Sequence, residues 1–282
     1  MLTGSKIADA VRTAIPLAAT TMRPDALAAL RIAATHERSP RGLAVLEQLI
    51  ANTEVAASAQ MPLCQDTGTV WVRVEIGAEE CVCGDVQAAV DGAVADAFRA
   101  ARLRMSLVRD ALFDRSNTAD NTPAFIDIAF GARAGTGATV HVMLKGGGSD
   151  NASRVEMLPP GAGIDGVKRV VLESVAAKAT GACPPLLVGV GVGATFDKVG
   201  GLAKKALLRA IGSENVDPDA AEFEAELLAG INATGIGPGG LGGDTTALAV
   251  HVVTAPCHIA TLPVAVNLGC CAMRSVTVEV LP

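Results

Sequence analysis

Apolar positions recur at helical spacing from residue 4 to about residue 58. Ile7, Val11 and Ile15 mark one face, Pro24-Asp25 opens a second segment, and Leu43, Leu46, Leu49 and Ile50 mark a third. The period then changes to two. Thr69-Val70-Trp71-Val72-Arg73-Val74-Glu75-Ile76 alternates as a half-buried strand does, which puts Cys64 in the loop between helices and sheet. An Ala-rich stretch over 85–105 predicts a long helix, and 124–130 and 138–144 predict strands, with His141 in the second. Helices are expected at 165–181, 198–211 and 218–234, and strands at 186–192, 246–253 and 262–266. No repeat, linker or charge run interrupts the pattern. The expected architecture is therefore one mixed α/β (α+β) domain over residues 1–282, with a helical N-terminal layer (about 1–60) packed on mixed sheets.

Composition narrows the picture. Apolar residues make up 50% of the chain but aromatics only 2%, with no tyrosine, so the core has to be built from Ala, Val, Leu and Ile. Base stacking needs aromatic faces, and a net charge of −6 opposes phosphate backbones, so nucleic-acid binding is not expected. No apolar run reaches the roughly 18 to 20 residues of a membrane span, and the N-terminus lacks a secretion-signal pattern. A cytoplasmic protein is the expectation. Seven cysteines, an odd count without framework spacing, favour reduced thiols over a disulfide scaffold.

Three of those cysteines sit in short islands at element boundaries beside Gly or Pro: Cys64 in Pro-Leu-Cys-Gln-Asp-Thr-Gly, Cys183 in Ala-Cys-Pro-Pro, and Cys270 in Asn-Leu-Gly-Cys-Cys. Three protein ligands leave one metal position open for water or substrate, whereas a structural zinc is closed by four. Cys271 competes with Cys270 for the third place. Cys81, Cys83 and Cys257 read as ordinary small hydrophobes. Lys145-Gly146-Gly147-Gly148 reads as a tight loop ending a strand, in the wrong order for a phosphate-binding loop. Gly189-Val190-Gly191-Val192-Gly193-Ala194 fits the loose dinucleotide fingerprint, but no acidic residue closes the next strand, so a buried strand is the stronger reading. Arg104 and Arg115 flank a polar, turn-rich segment ending Asn117-Thr118-Ala119-Asp120-Asn121-Thr122-Pro123, the kind of segment that carries binding groups. His258 follows Pro256-Cys257 in a loop and suits a structural or a substrate-contacting role equally.

Taken together, Met-Pro-Leu-Cys-Gln-Asp-Thr-Gly, Asp-Arg-Ser-Asn-Thr-Ala-Asp-Asn-Thr-Pro, Lys-Gly-Gly-Gly-Ser-Asp-Asn, the Cys-Pro-Pro island and Gly-Ile-Gly-Pro-Gly-Gly-Leu-Gly-Gly resemble, in order, the alpha subunit of the class I iron-sulfur fumarate hydratases and their tartrate dehydratase relatives. The resemblance implies that Cys64, Cys183 and Cys270 hold a 4Fe-4S cluster; the Asn267-Leu268-Gly269-Cys270 pattern selects Cys270 over Cys271. It implies that Gln65, Asp66, Arg104, Lys145 and Gly147 meet a dicarboxylate with His258 nearby, and that Asp66 assists a catalytic threonine of a partner chain. It further implies a separate beta subunit, a dimer of alpha-beta pairs, and the hydration of fumarate to malate. Lys145, Ser149, Asp150, Asp120 and Pro123 side with the fumarase branch; L-tartrate and mesaconate are the alternative substrates. The rival from another class is a non-catalytic iron-sulfur electron carrier or sensor, against which three ligands and a polar loop set weigh.

Overall fold

A computed structural model describes residues 1–282. In chain order, β1 (Leu2–Thr3) and α1 (Gly4–Thr20) precede α2 (Pro24–His36) and α3 (Pro40–Ala59). Next come β2 (Thr69–Gly77), β3 (Val82–Cys83), α4 (Val86–Ala100), β4 (Phe125–Arg133) and β5 (Ala138–Lys145). The one-turn α5 (Gly147–Asn151), β6 (Arg154–Leu158), α6 (Gly163–Lys178) and β7 (Leu186–Ala194) follow. The chain ends with α7 (Phe196–Ala206), α8 (Pro218–Asn232), β8 (Ala247–Cys257), β9 (Leu262–Gly269) and β10 (Ser275–Val280). The mixed α/β class expected from the pattern is the class observed. None of these helices is long and apolar enough to cross a membrane.

The elements are shared between two compact units: Met1–Arg23, Thr53–Gly147 and Arg274–Pro282 in the first, Pro24–Asn52 and Gly148–Met273 in the second. Unit one holds a four-stranded sheet in the order β10-β5-β2-β4, with β2 antiparallel to β5 and parallel to β4. Alternation delivers Val70, Val72, Val74 and Ile76 of β2 and Val140 and Val142 of β5 to one face, where α1 and α4 cover them. Those helices form where local chemistry starts them: Thr3 accepts the Lys6 N–H, and Asp85 accepts the Ala88 N–H. Phe98 is completely buried among the aliphatics, so each such side chain contributes about 1.5–3 kcal/mol. The helix expected to reach residue 105 stops at Ala100, because Arg102 turns into left-handed backbone (φ 53°) and sends the chain back towards the sheet end.

Unit two holds the sheet β6-β9-β7-β8, with α6 and α8 on one face through Val170, Val171, Val175, Leu227 and Ile231. The other face carries α7, whose Val199 and Ala203 meet Ala265. This packing explains the glycine run of β7. A Cβ on Gly189 would stand 2.2 Å from the Ala203 carbonyl oxygen, and one on Gly191 2.5 Å from that of Val199. The fingerprint-like residues are thus strand interior that lets a helix lie directly on the sheet, and the dinucleotide reading falls. Buried charge fixes the periphery of unit two. Glu224 accepts hydrogen bonds from Arg209, from Asn215 (2.7 Å) and from the Val252 N–H (2.7 Å). Glu37 accepts the N–H groups of Ser39, Asp244 and Thr245, closing the glycine-rich loop before β8.

Candidate active site

The register of unit one's sheet creates the site. Thr69, at the start of β2, pairs with Lys145, at the end of β5, and the Leu144 N–H donates to the Arg274 carbonyl ahead of β10 (2.9 Å). The loop containing Cys64, Gln65 and Asp66, the Lys145-Gly146-Gly147 corner and Arg274 therefore emerge at one end of the sheet. Gly68 makes the corner feasible: its φ is +78°, and a Cβ there would lie 2.3 Å from the Lys145 carbonyl oxygen. Gly146 and Gly147 have no left-handed backbone, contrary to the turn expected of them. Gly146 serves by close approach, since its Cβ would come within 3.2 Å of Asp66 Oδ2.

Asp66 is the centre of this arrangement. Its Oδ1 accepts from the Gly68 N–H (3.1 Å) and from Arg104 Nη2 (3.1 Å), and its Oδ2 from the Gly147 N–H (2.8 Å). Thr67, buried, donates to the Arg104 carbonyl (2.5 Å) and so fixes the segment that carries this arginine. The Arg104 side chain itself is 56% exposed, tied to Asp66 through Nη2 alone. Lys145 is 3% exposed beneath the corner. Beside these groups opens a cleft of about 420 Å³ lined by Asp66, Gly68, Thr69, Arg104, Met105, Ser106, Asn117 and Gly147. The structure thus gathers Asp66, Arg104 and Gly147 directly, and places Cys64 and Gln65 in the same loop, with the Cys64 thiol 3.4 Å from Gln65 Oε1.

Two residues of this site were not singled out from sequence. Arg274 is 3% exposed and donates through Nη1 to the Asp66 carbonyl (2.6 Å), with its Nε buried and unpaired. The available signal was a lone cation ending an apolar cysteine island. Asn121 is fully buried with φ 63°; its Nδ2 donates to the Gly68 carbonyl (3.1 Å) and its Oδ1 accepts the Ser106 N–H (2.7 Å). The polar segment before Pro123 thus braces the wall of the cleft. Arg115 does not join it and instead donates to the Ala111 carbonyl (2.8 Å).

The other predicted residues belong to unit two. Cys183 ends a 3₁₀ turn in left-handed backbone (φ 57°) just before β7, and Cys270 follows β9. These loops are joined, since the Cys271 N–H donates to the Cys183 carbonyl (3.1 Å). His258 lies exposed in the turn between β8 and β9, where its Nδ1 accepts the Ala260 N–H (3.1 Å). All seven cysteines are free thiols, and nowhere are three His, Cys, Asp or Glu side chains grouped as a metal ion would require.

Residues 8–279 match the family described as fumarate hydratase (Fumerase). A protein of Methanocaldococcus jannaschii, named as an L(+)-tartrate dehydratase subunit alpha, is 38% identical over 95% of this chain and 95% of its own length. The L(+)-tartrate dehydratase subunits alpha of Escherichia coli and Shigella sonnei are each 34% identical over 98% of this chain and 91% of theirs. Fold, cleft and likeness together define a protein of the hydro-lyase class. The chain belongs to the fumarate hydratase (Fumerase) family.

Proposed function

We propose that this chain is the alpha subunit of an iron-sulfur hydro-lyase that reversibly adds water to a four-carbon dicarboxylate, its active site completed by a beta subunit. The observation that carries the reading is the convergence of Asp66, Arg104 and the Gly147 N–H on one open cleft. Eliminating water from a hydroxydicarboxylate requires a cation for a carboxylate, donors for charge developing beside the carbon that loses its proton, and an acceptor that orients the proton's path. Arg104 has free valence for the first role. For the second, the Gly147 N–H is held by Asp66 Oδ2 and Lys145 lies buried beneath the corner, so the exposed guanidinium of Arg104 is the donor this chain offers, and Asp66 supplies the third. Asp66 reaches a partner-chain base from a position that Arg274 and Gly68 hold fixed.

Cys64, Cys183 and Cys270 are the proposed ligands of a 4Fe-4S cluster. Their fit rests on donor chemistry: soft thiols, none in a disulfide, with the Cys183 and Cys270 loops hydrogen-bonded to each other. When bound, the cluster supplies a Lewis-acidic iron that helps the hydroxyl to leave. The family pattern Asn267-Leu268-Gly269-Cys270 favours Cys270 over Cys271 as the third ligand.

Two substrate readings divide the support. The fumarate–malate pair is favoured by the loop residues Lys145, Ser149, Asp150, Asp120 and Pro123. L(+)-tartrate is favoured by the names of relatives that match almost the whole chain. The deciding assay compares malate, fumarate, mesaconate and tartrate on the anaerobically reconstituted alpha-beta pair. We expect no turnover from this chain alone, and loss of the brown chromophore and of bound iron in Cys64→Ser, Cys183→Ser and Cys270→Ser. Full iron in all three variants, or water addition to none of the dicarboxylates, removes the reading.

A further inference from the structure

Ser106 stands in the wall of the cleft with a fixed backbone and an uncommitted hydroxyl. Its N–H donates to Oδ1 of the fully buried Asn121 (2.7 Å), and two residues earlier the Arg104 carbonyl accepts the hydroxyl of the buried Thr67. The backbone of the residue is therefore set on both sides. Its side chain is held far less firmly. Ser106 Oγ reaches Asp66 Oδ1 at 3.5 Å and the Arg104 carbonyl at 3.4 Å, whereas a settled O–H···O bond spans about 2.7–2.8 Å. Ser106 is the donor in both contacts, so the lone pairs of its oxygen are left for another group.

The neighbouring polar side chains of the cleft are placed differently. Asn117 is engaged at both ends of its amide, donating to the Met105 carbonyl (2.9 Å) and accepting the Ala119 N–H (2.8 Å). Thr69 turns its hydroxyl to the Lys145 carbonyl (3.4 Å), and not to Asp66. Position gives the free oxygen of Ser106 its meaning. When water leaves a hydroxydicarboxylate, one carbon releases hydroxide and its neighbour releases the proton. Asp66 orients that proton in the function proposed above, so the neighbouring carbon stands beside Asp66 and hence beside Ser106 Oγ. In malate that carbon is a bare methylene. In tartrate it carries the second hydroxyl, so the two substrates differ at the point that Ser106 borders.

We propose that Ser106 is a specificity-determining residue: it accepts a hydrogen bond from a hydroxyl on the proton-losing carbon, and the cleft thereby selects 2,3-dihydroxydicarboxylates over monohydroxy ones. The proposal rests on the hydro-lyase reading and names the substrate class within it. A substrate hydroxyl entering the cleft leaves water behind, and an acceptor at Ser106 offsets that loss, whereas a methylene gains nothing from it. Loss of hydroxide from one carbon and of the proton from the other turns such a substrate into an enol. The enol tautomerises to the 2-oxo dicarboxylate, and no oxidant is needed.

The test compares L(+)-tartrate with L-malate on the anaerobically reconstituted alpha-beta pair, following the 2-oxo acid in one case and fumarate in the other. In Ser106→Ala the ratio of kcat/KM for tartrate to that for malate should fall about 10-fold, the effect of one hydrogen bond to a substrate hydroxyl. Calorimetric dissociation constants for the two compounds should diverge in the same direction. The bond from the Ser106 backbone to Asn121 survives the substitution, so melting temperature and bound iron should stay near their wild-type values. A ratio that the substitution leaves unchanged overturns the proposal, as does a wild-type pair that turns over malate but not tartrate. A pair that releases water from neither compound removes the hydro-lyase reading instead. The assignment of Ser106 then stands or falls on whether the alanine variant loses affinity for tartrate relative to malate.

Discussion

Replacing Asp66 by asparagine should lower kcat of the assembled enzyme by roughly 10²- to 10⁴-fold, the range that one positioned proton-handling group supplies. The substitution keeps the shape and removes the charge. Asp66 accepts four hydrogen bonds, from the Gly68 N–H, Arg104 and the Ser106 hydroxyl on Oδ1 and from the Gly147 N–H on Oδ2. An amide presents only one acceptor atom, so at least one donor faces an NH₂ group and loses its partner. That costs about 1–3 kcal/mol, or a few degrees of melting temperature for each kcal/mol in a chain of this size. The fold survives this loss, since the cores under both sheets are untouched. The informative quantity is the division between kcat and KM. If Asp66 handles the proton, kcat collapses and KM moves only a few-fold. A variant with normal kcat and a raised KM would reduce Asp66 to a clamp on Arg104, and the assignment of a proton role to it would be wrong.

How much of this site could be read from residues alone depends on whether the information was local. Asp66, Arg104 and Gly147 carry it in short motifs of unusual composition, and the structure brings them together at one sheet end. The helices and strands were legible for the same reason, because each records its burial in a period of 3.6 or 2. What was illegible is non-local. Arg274 follows Cys270 in sequence, but its place under Asp66 is set by the pairing of β10 with β5, and nothing in an isolated arginine announces that it is buried. The glycines of β7 were ambiguous because a phosphate turn and a helix lying on a strand both demand a missing Cβ. Only the position of α7 decides between them. β6 escaped notice as a five-residue edge strand whose alternating charges Arg154 and Glu156 pair with each other, and with Glu173 and Arg169 respectively, rather than marking a loop.

The largest stability effect is expected at a residue remote in role from the chemistry. Glu224 is 7% exposed on α8, and its two oxygens take up Arg209, Asn215 and the Val252 N–H. Burial alone would push its carboxyl up, but the Arg209 guanidinium, the Val252 N–H and Asn215 outweigh that and hold it below the ordinary glutamate range. Glu224→Gln leaves Arg209 facing an amide in a mostly buried site. Removing one member of such a pair costs about 3 kcal/mol, which corresponds to a fall of about 6–12 °C in melting temperature. The pH dependence follows from the direction of the shift. A carboxyl depressed in the folded protein contributes in full above its unfolded value of about 4.3 and loses that contribution as pH falls through the folded value. Glu37, held down by the N–H groups of Asp244, Ser39 and Thr245 against its burial, acts in the same sense. So does Asp244, held at about 2 by Arg38. Wild-type protein should therefore lose stability progressively below about pH 4.3, and Glu224→Gln should follow a shallower acid slope from a lower starting point. Equal slopes would mean that the Glu224 carboxylate contributes no linkage, and that its hydrogen bonds are replaced by water when they are broken.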